Sequence, residues 1–299
     1  MSATPGMLAG SRAPFAERLA AVRGSRRRTV DRIMRTVALV AAVVCVIPLA
    51  AILLFVVIKG AAALNLDLLT KPPRALGTGG GALNAILGSV QMVGVAAVVA
   101  VPVGVLGGVY VSEFASRRSA RTVRFAADVL VGVPSILIGI VAYTLLVLPF
   151  KQFNAAAGSV ALALIMVPVI VRTTEEILRL VPKEIREAGL ALGVPTWRVV
   201  VSVVLPAGRS GVLTGVMLAV ARAAGETAPL LFTALGSRLI NVGGFGQPMD
   251  ALPLFIYSGA RQPIAALNDQ AWGAALLLLL FVLGVNVAVR ARSWGRRAG

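Results

Sequence analysis

The sequence predicts an all-α integral membrane protein with six transmembrane helices. Three observations carry this prediction. Apolar residues make up 58% of the 299 residues, charged residues only 14%, and the apolar residues are gathered into long runs. Soluble domains are about 45–50% apolar and about 25% charged, and a soluble chain of this size would leave much of this apolar surface in water. Lipid is therefore the expected solvent for most of these side chains.

Six apolar stretches define the predicted spans. A helix rises about 1.5 Å per residue, so about 20 residues cross a hydrocarbon core of about 30 Å. Five stretches carry no charge, at residues 36–58, 81–112, 129–150, 154–171 and 271–289, and residues 210–237 are interrupted only by Arg222 and Glu226. We expect the first span to be retained, because it is longer than the about 7–15 apolar residues of a signal sequence.

Basic residues are divided unevenly among the connections. With a cytoplasmic N-terminus, six spans place both ends in the cytoplasm, and the cytoplasmic segments hold 22 of the 29 Lys and Arg residues. This asymmetry fits the positive-inside rule and accounts for the net charge of +17 without a nucleic-acid partner. The predicted organisation is a cytoplasmic leader at 1–35, a membrane domain at 36–292 and a cytoplasmic tail at 293–299.

The composition excludes several kinds of catalytic and metal site. The chain has no histidine and a single cysteine, Cys45. A His-dependent triad, an HExxH zinc site, an internal disulfide and a cysteine-cluster metal site are therefore impossible. No P-loop motif occurs in the sequence either. We expect no catalytic site, metal or cofactor in this chain.

Three connections have less specific patterns. In the Arg-rich leader, Phe15, Leu19 and Val22 recur at helical spacing, which suits either an amphipathic surface helix or a disordered segment. Residues 77–82 fit G-x-G-x-x-A but follow no strand pattern, so a flexible loop is predicted. Residues 238–270 predict either a short helix on the outer surface or an irregular cap over the end of the pore.

The connection between the fourth and fifth spans has the most regular pattern. Residues 183–192 predict a short helix that begins after Pro182. Gly193 predicts a tight turn because glycine readily adopts a positive φ. Thr196 suits the N-cap of a second helix that runs to Leu205. The expected helix–turn–helix on the inner face of the membrane suits docking into a cytoplasmic partner.

At this connection the sequence resembles the permeases of bacterial ABC importers. Their E-A-A-x-x-x-G-x9-I-x-L-P signature is matched, with glycine for the second alanine and valine for isoleucine, by Glu187, Ala188, Gly189, Gly193, Val203, Leu205 and Pro206. Residues 218–234 are similar to the A-R-A-x-G-E-T-A-P stretch of phosphate-specific permeases, of the PstA kind. The resemblance extends over about residues 80–292.

The resemblance implies the MetI-like fold of a type I ABC importer permease in the bacterial inner membrane. It implies a homologous second permease (PstC-like), two cytoplasmic ATPase subunits (PstB-like) that bind ATP and Mg, and an extracytoplasmic phosphate-binding protein (PstS-like). The residues it implies for ATPase coupling are Glu187, Ala188, Gly189, Gly193, Leu205 and Pro206.

Two charges inside the fifth span are the candidates for the substrate path. A charge at the bilayer centre costs at least about 2.5–3.5 kcal/mol, and Arg222 and Glu226, four residues apart, are expected to share a helix face. The planar guanidinium suits an oxyanion. Gly225 allows close backbone approach, and Pro229 predicts a kink. The predicted path is Arg222, Gly225, Glu226 and Thr227; a purely structural ion pair is the alternative.

Several functions are compatible with these patterns. A phosphate importer permease accounts for most of them, and a permease for another oxyanion such as sulfate is the nearest alternative. A gated anion channel would not need the helix–turn–helix, and a membrane enzyme using Glu226 would have a thin catalytic set.

Overall fold

The computed structural model describes residues 13–74, 80–241 and 244–294, with side chains in 30–74, 80–241 and 244–287. The predictions for residues 77–79, and for parts of the leader and the tail, lie outside the described residues. Most of the described chain is helical. Its helices are α1 (Ala13–Ala63), α2 (Leu66–Thr70), α3 (Leu83–Val109), α4 (Arg117–Gly132), α5 (Ser135–Ala142), α6 (Ala155–Arg179), α7 (Lys183–Ala191), α8 (Thr196–Val199), α9 (Leu205–Ala224), α10 (Ala228–Thr233), α11 (Leu252–Ala260) and α12 (Ala265–Trp294).

The predicted all-α membrane fold is confirmed by the lengths of these helices. In the described residues, five stretches are long and apolar enough to cross a membrane. A sixth span is reached by counting α4 and α5 as one pair, which is bent by 98°. Single π-helical turns extend α3 at Tyr110–Phe114 and α5 at Tyr143–Val147, and a third joins α8 to α9 at Val200–Val204.

The chain divides into two units, and the boundary falls after Phe55 within α1. In the first unit the backbone is already helical at Ala13, so this part of the leader continues directly into the first span. From Val30 to Phe55 every side chain is exposed, including large apolar ones such as Ile47 and Leu54. A helix that is apolar on all sides is typical of a membrane span.

The second unit, which begins at Val56, is built around α6. This helix is the most buried of the candidate spans, because small residues let its neighbours approach closely. A Cβ atom on Gly104 of α3 would lie 2.6 Å from the Cβ of Ile170, and one on Gly108 would lie 2.5 Å from that of Thr174. Small residues at helix contacts are typical of packing between membrane helices.

The predicted span at 129–150 is interrupted, because the helix breaks at Val133 and Pro134. Pro134 has no N–H to donate and disfavours helical geometry in the residue before it. The helices α4 and α5 are bent by 98° at this break, and the Arg-rich residues 117–128 lie in α4.

The fifth span also differs from its prediction at both ends. The helix that begins at Thr196 does not end at Leu205 but continues to Ala224. The π-helical turn just before Pro206 shifts the hydrogen-bonding register, so a proline is accommodated at the second position of α9. Pro195, rather than Thr196, is the N-cap residue. The helix then ends at Ala224, inside the apolar stretch 210–237, and α10 follows after Gly225–Thr227.

The expected short helix in residues 238–270 is present as α11, and one side of it packs into the bundle. Leu254 and Phe255 are buried, and a Cβ on Gly259 would lie 2.9 Å from the Cβ of Ala271 in α12. The last span begins at Ala265, earlier than residue 271. The loop before the second span also contains α2, which Asn65 caps through the backbone N–H of Leu68.

Candidate functional site

The candidate residues fall into two sites. One lies at the C-terminal end of the central helix α6, and the other lies at the break between α9 and α10. At its N-terminal end, the backbone N–H groups of Asn154 and Ala155 donate to the carbonyls of Thr233 and Gln247, 2.9 and 3.0 Å away. At its C-terminal end the chain passes directly into α7. We call the end that carries α7 the coupling end. The break between α9 and α10 is the second candidate site.

The turn at the coupling end has the geometry that the sequence predicts. α7 begins after Pro182 and ends at Ala191, and Gly193 follows the C-cap residue Leu192 with a φ of 75°. No atom lies within 4 Å of where a Cβ on Gly193 would stand. The need for glycine at this position is therefore a need of the backbone and not of the surrounding packing.

The predicted coupling residues lie on and beside this turn. Four of them are exposed, and Gly189 and Leu205 are partly buried; the exposed ones are Glu187, Ala188, Gly193 and Pro206. A Cβ on Gly189 would lie 3.0 Å from a methyl group of Val199. This close fit accounts for glycine at the position where the family signature has alanine.

Two exposed apolar side chains beside the turn were not singled out by the sequence reasoning. Leu192 is 83% exposed and Trp197 is 57% exposed. Exposed apolar surface next to charged residues is typical of a protein interaction site. Their signal in the sequence is a large apolar residue directly beside the turn at Gly193.

Arg186 is another residue that the sequence reasoning missed. Its Nε and Nη2 atoms lie 3.0 and 2.8 Å from the two carboxylate oxygens of Glu113, at the end of the span formed by α3. The same guanidinium donates to the carbonyls of Leu178, in the last turn of α6, and of Val181, just beyond its C-terminus. One side chain therefore joins α7 to the ends of two spans.

Glu175 of α6 was missed as well. Its side chain is only 1% exposed and pairs with Arg124 of α4 and with Arg172 and Arg179 of its own helix. Arg172 also lies 3.0 Å from a carboxylate oxygen of Asp128. A buried carboxylate surrounded by three guanidinium groups fixes α4 to α6.

The break at Gly225 changes the basis of the Arg222–Glu226 prediction. α9 ends at Ala224, so the two residues do not share a helix face as expected. Pro229 is suited to the first turn of α10 and not to the interior of a continuous helix. The two side chains nevertheless form an ion pair, with Arg222 Nε 3.5 Å from Glu226 Oε1.

The second candidate site brings two helix breaks together. Arg222 lines a small cavity with Val133 and Ser135 at the break between α4 and α5. A Cβ on Gly139 of α5 would lie 2.7 Å from the Cα of Pro229. Irregular backbone at membrane depth is tolerated where protein buries it or where it lines a water-filled cavity. Gly225 is exposed here, and Thr227 is partly buried.

Within the described residues, no group of three or more acidic, cysteine or histidine side chains is placed to hold a metal ion. The charged side chains at the helix breaks are those of Arg222 and Glu226.

Comparison with protein families and relatives gives consistent matches. Residues 100–292 match the family model described as "Binding-protein-dependent transport system inner membrane component". A protein of Haemophilus influenzae named phosphate transport system permease protein PstA is 41% identical over 265 residues, which cover 88% of this chain and 94% of that protein. A protein of the same name from Mycobacterium leprae is 46% identical over 210 residues, covering 70% and 69% of the two chains.

Solved structures show the same fold at low sequence identity. A chain of the MetNI methionine ABC transporter in an inward-facing conformation aligns with a TM-score of 0.55 and 21% identity, covering 70% of this chain and 94% of that chain. A chain of an amino acid ABC transporter aligns with a TM-score of 0.50 and 15% identity, covering 72% and 92% of the two chains.

Proposed function

Since the chain belongs to the family of inner membrane components of binding-protein-dependent transport systems, it is a multi-pass permease of an ABC importer, and we propose inorganic phosphate as its substrate. The observation that supports phosphate as the substrate is the agreement among the relatives. Proteins named as phosphate transport permeases match at 40–41% identity over 88% of the chain.

The proposed substrate path runs past Arg222, Gly225, Glu226 and Thr227. Support comes from the breaks of two spans at this point, because irregular backbone at membrane depth is tolerated where protein buries it or where it lines a water-filled cavity. Arg222 is 48% exposed within a membrane span and has a single carboxylate partner at 3.5 Å. A guanidinium held this loosely is able to change partners when an oxyanion arrives.

Phosphate carries up to two charges, so one guanidinium does not balance it. We propose that a second homologous permease, PstC-like, faces this chain and supplies a further cation. A phosphate-binding protein, PstS-like, would deliver the ion from outside.

With both termini in the cytoplasm, as the distribution of basic residues favours, the coupling end faces two PstB-like ATPase subunits that hold ATP and Mg. Labelling of single cysteines at Arg118 and Gln247, in a Cys45→Ala background, tests this orientation: only the second should react from outside.

The coupling surface consists of Glu187, Ala188 and Gly193 with the exposed side chains of Leu192 and Trp197. It projects from the C-terminal end of α6. We propose that the ATPase binds here, and that its movement reaches the spans through α7.

Uptake into vesicles tests the substrate. The complete complex in proteoliposomes should accumulate radiolabelled phosphate only with ATP inside the compartment that the ATPase faces. Preferential uptake of sulfate would replace phosphate by another oxyanion, and uptake without ATP would indicate a channel.

Substitution of Gly193 tests coupling. Gly193→Val should abolish ATP-driven uptake, because a β-branched residue strongly disfavours a φ of 75°. Gly193→Asn is the matched control, since asparagine tolerates this backbone region and the surrounding space is open. We expect the asparagine variant to retain most of the uptake. Normal uptake by Gly193→Val would show that the turn has no role in coupling.

A further inference from the structure

A second charged cavity lies at the end of the molecule opposite the coupling end. Its volume is about 450 Å³, and it opens between the chain that follows α10 and the C-terminal part of α11. The polar side chains that line it include Ser237, Arg238, Asp250, Tyr257, Ser258 and Arg261. The predicted substrate path does not include any of them.

Two of these side chains are cations without an acidic partner. In the described part of the chain, no carboxylate oxygen lies within 4.0 Å of Arg238 or Arg261, whereas Arg124, Arg172 and Arg186 are all paired. The guanidinium of Arg261 is held above the ring of Tyr257, 5.1 Å from its centroid, and Nη1 donates to the tyrosine hydroxyl at 2.7 Å. Its remaining N–H groups are available to a ligand.

Asp250 adds a hydrogen-bond acceptor to the same cavity. Its carboxylate accepts from the backbone N–H of Ala251 at 2.9 Å and from Nδ2 of Asn84 at 3.2 Å. Burial raises the pKa of Asp250 to about 6, although these two hydrogen bonds act in the opposite direction. The carboxylate oxygens have further lone pairs, so they are able to accept a hydrogen bond from a protonated oxygen of a ligand.

A sharp turn and two hydrogen bonds fix the part of the cavity wall that carries Arg238. Leu235 and Gly236 both have positive φ values, 59° and 89°, and so turn the chain sharply after α10. Nδ2 of the buried Asn84 donates to the carbonyl of Ser237 as well as to Asp250, which ties the two ends of the intervening segment to α3. The segment that carries Arg238 is thus anchored to the bundle.

We propose that this cavity binds inorganic phosphate at the end of the permease opposite the ATPase, before the ion reaches Arg222. Guanidinium groups are well matched to phosphate oxygens. Inorganic phosphate carries a proton at neutral pH, so its O–H group donates a hydrogen bond to the carboxylate of Asp250. The phosphodiester of most lipid headgroups has no such O–H group. The inference rests on phosphate being the transported ion, as proposed above.

Direct binding tests the cavity separately from transport. The complex of this chain with its permease and ATPase partners, without the extracytoplasmic binding protein, is placed in nanodiscs and dialysed against radiolabelled phosphate. We expect saturable binding that Arg238→Gln and Arg261→Gln each weaken at least about tenfold, because a charge-assisted hydrogen bond is lost. Lys151→Gln is the matched control: Lys151 is an exposed cation beside the N-terminal end of α6 that does not line the cavity, and this variant should bind as the wild type does.

Two outcomes would overturn the proposal. One is unchanged phosphate binding in both arginine variants. The other is a phospholipid that co-purifies with the wild type and is lost from both variants, with no saturable binding of inorganic phosphate. The uptake experiment decides the transported ion independently, so a failure of the cavity and a failure of the proposed substrate are distinguishable.

Discussion

The ion pairs at the coupling end and the ion pair at the helix breaks are built differently. At the coupling end, the carboxylates of Glu113 and Glu175 are 7% and 1% exposed, and Glu175 contacts three guanidinium groups. At the breaks, Arg222 is 48% exposed and meets the single carboxylate of Glu226 at 3.5 Å. The first arrangement fixes helices to one another, and the second is suited to exchanging partners.

The difference follows from desolvation. A buried carboxylate that loses its partner leaves a charge that water cannot reach, so the partners stay together. The Arg222–Glu226 pair has a single longer contact of 3.5 Å and a more exposed cation, so its two partners are held together less firmly. A permease needs both: rigid joints transmit the motion of the ATPase, and a loosely held cation releases the ion that it binds. The following variants test this contrast, in order of their expected effect on the assembled complex.

Glu175→Gln should have the largest effect. It leaves Arg124, Arg172 and Arg179 around a neutral side chain, and we expect a loss of about 3 kcal/mol, at the low end for a broken buried pair because the arginines are partly exposed. The amount of intact complex after extraction, and its thermal unfolding, measure the loss. Glu176→Gln is the control, since Glu176 is 63% exposed and its pair with Arg172 is 3.8 Å long. Equal stability of the two variants would remove the contrast.

Glu113→Gln should have an intermediate effect, mainly on coupling. The variant weakens the joint between α7 and the end of the second span, while Arg186 keeps its bonds to the carbonyls of Leu178 and Val181. We expect the complex to assemble but to transport less phosphate for each ATP hydrolysed. Lys183→Gln, at the exposed start of α7, is the control and should leave this ratio unchanged. A normal ratio in Glu113→Gln would show that the joint does not transmit motion.

Arg222→Gln should have the smallest effect on assembly and a large effect on uptake. Because Arg222 has a single carboxylate contact of 3.5 Å, the stability change should be smaller than that of Glu175→Gln. The double variant with Glu226→Gln removes the unpaired carboxylate and separates the two interpretations of the pair. If Arg222 contacts phosphate, the double variant assembles and uptake stays lost. Full uptake by the double variant would mean that the pair is only structural.

Much of the membrane fold could be predicted because it depends on local patterns. Apolar length alone predicts most of the spans, and the helix before Gly193 follows from residues that are adjacent in the chain. The proximity of Arg222 and Glu226 also required only their spacing, although the predicted helix face was wrong. Each of these features is decided within about one or two turns of the backbone.

The tertiary structure decided the features that join distant parts of the chain. Arg186 and Glu113 are 73 residues apart, and Arg124 and Glu175 are 51 residues apart, so no local spacing reveals either pair. The helix breaks have the same origin. Pro102 and Pro168 lie inside continuous helices, whereas the chain bends sharply at Pro134. A proline removes one hydrogen bond wherever it stands, and neighbouring helices determine whether the freed backbone groups are satisfied within the helix or at a break.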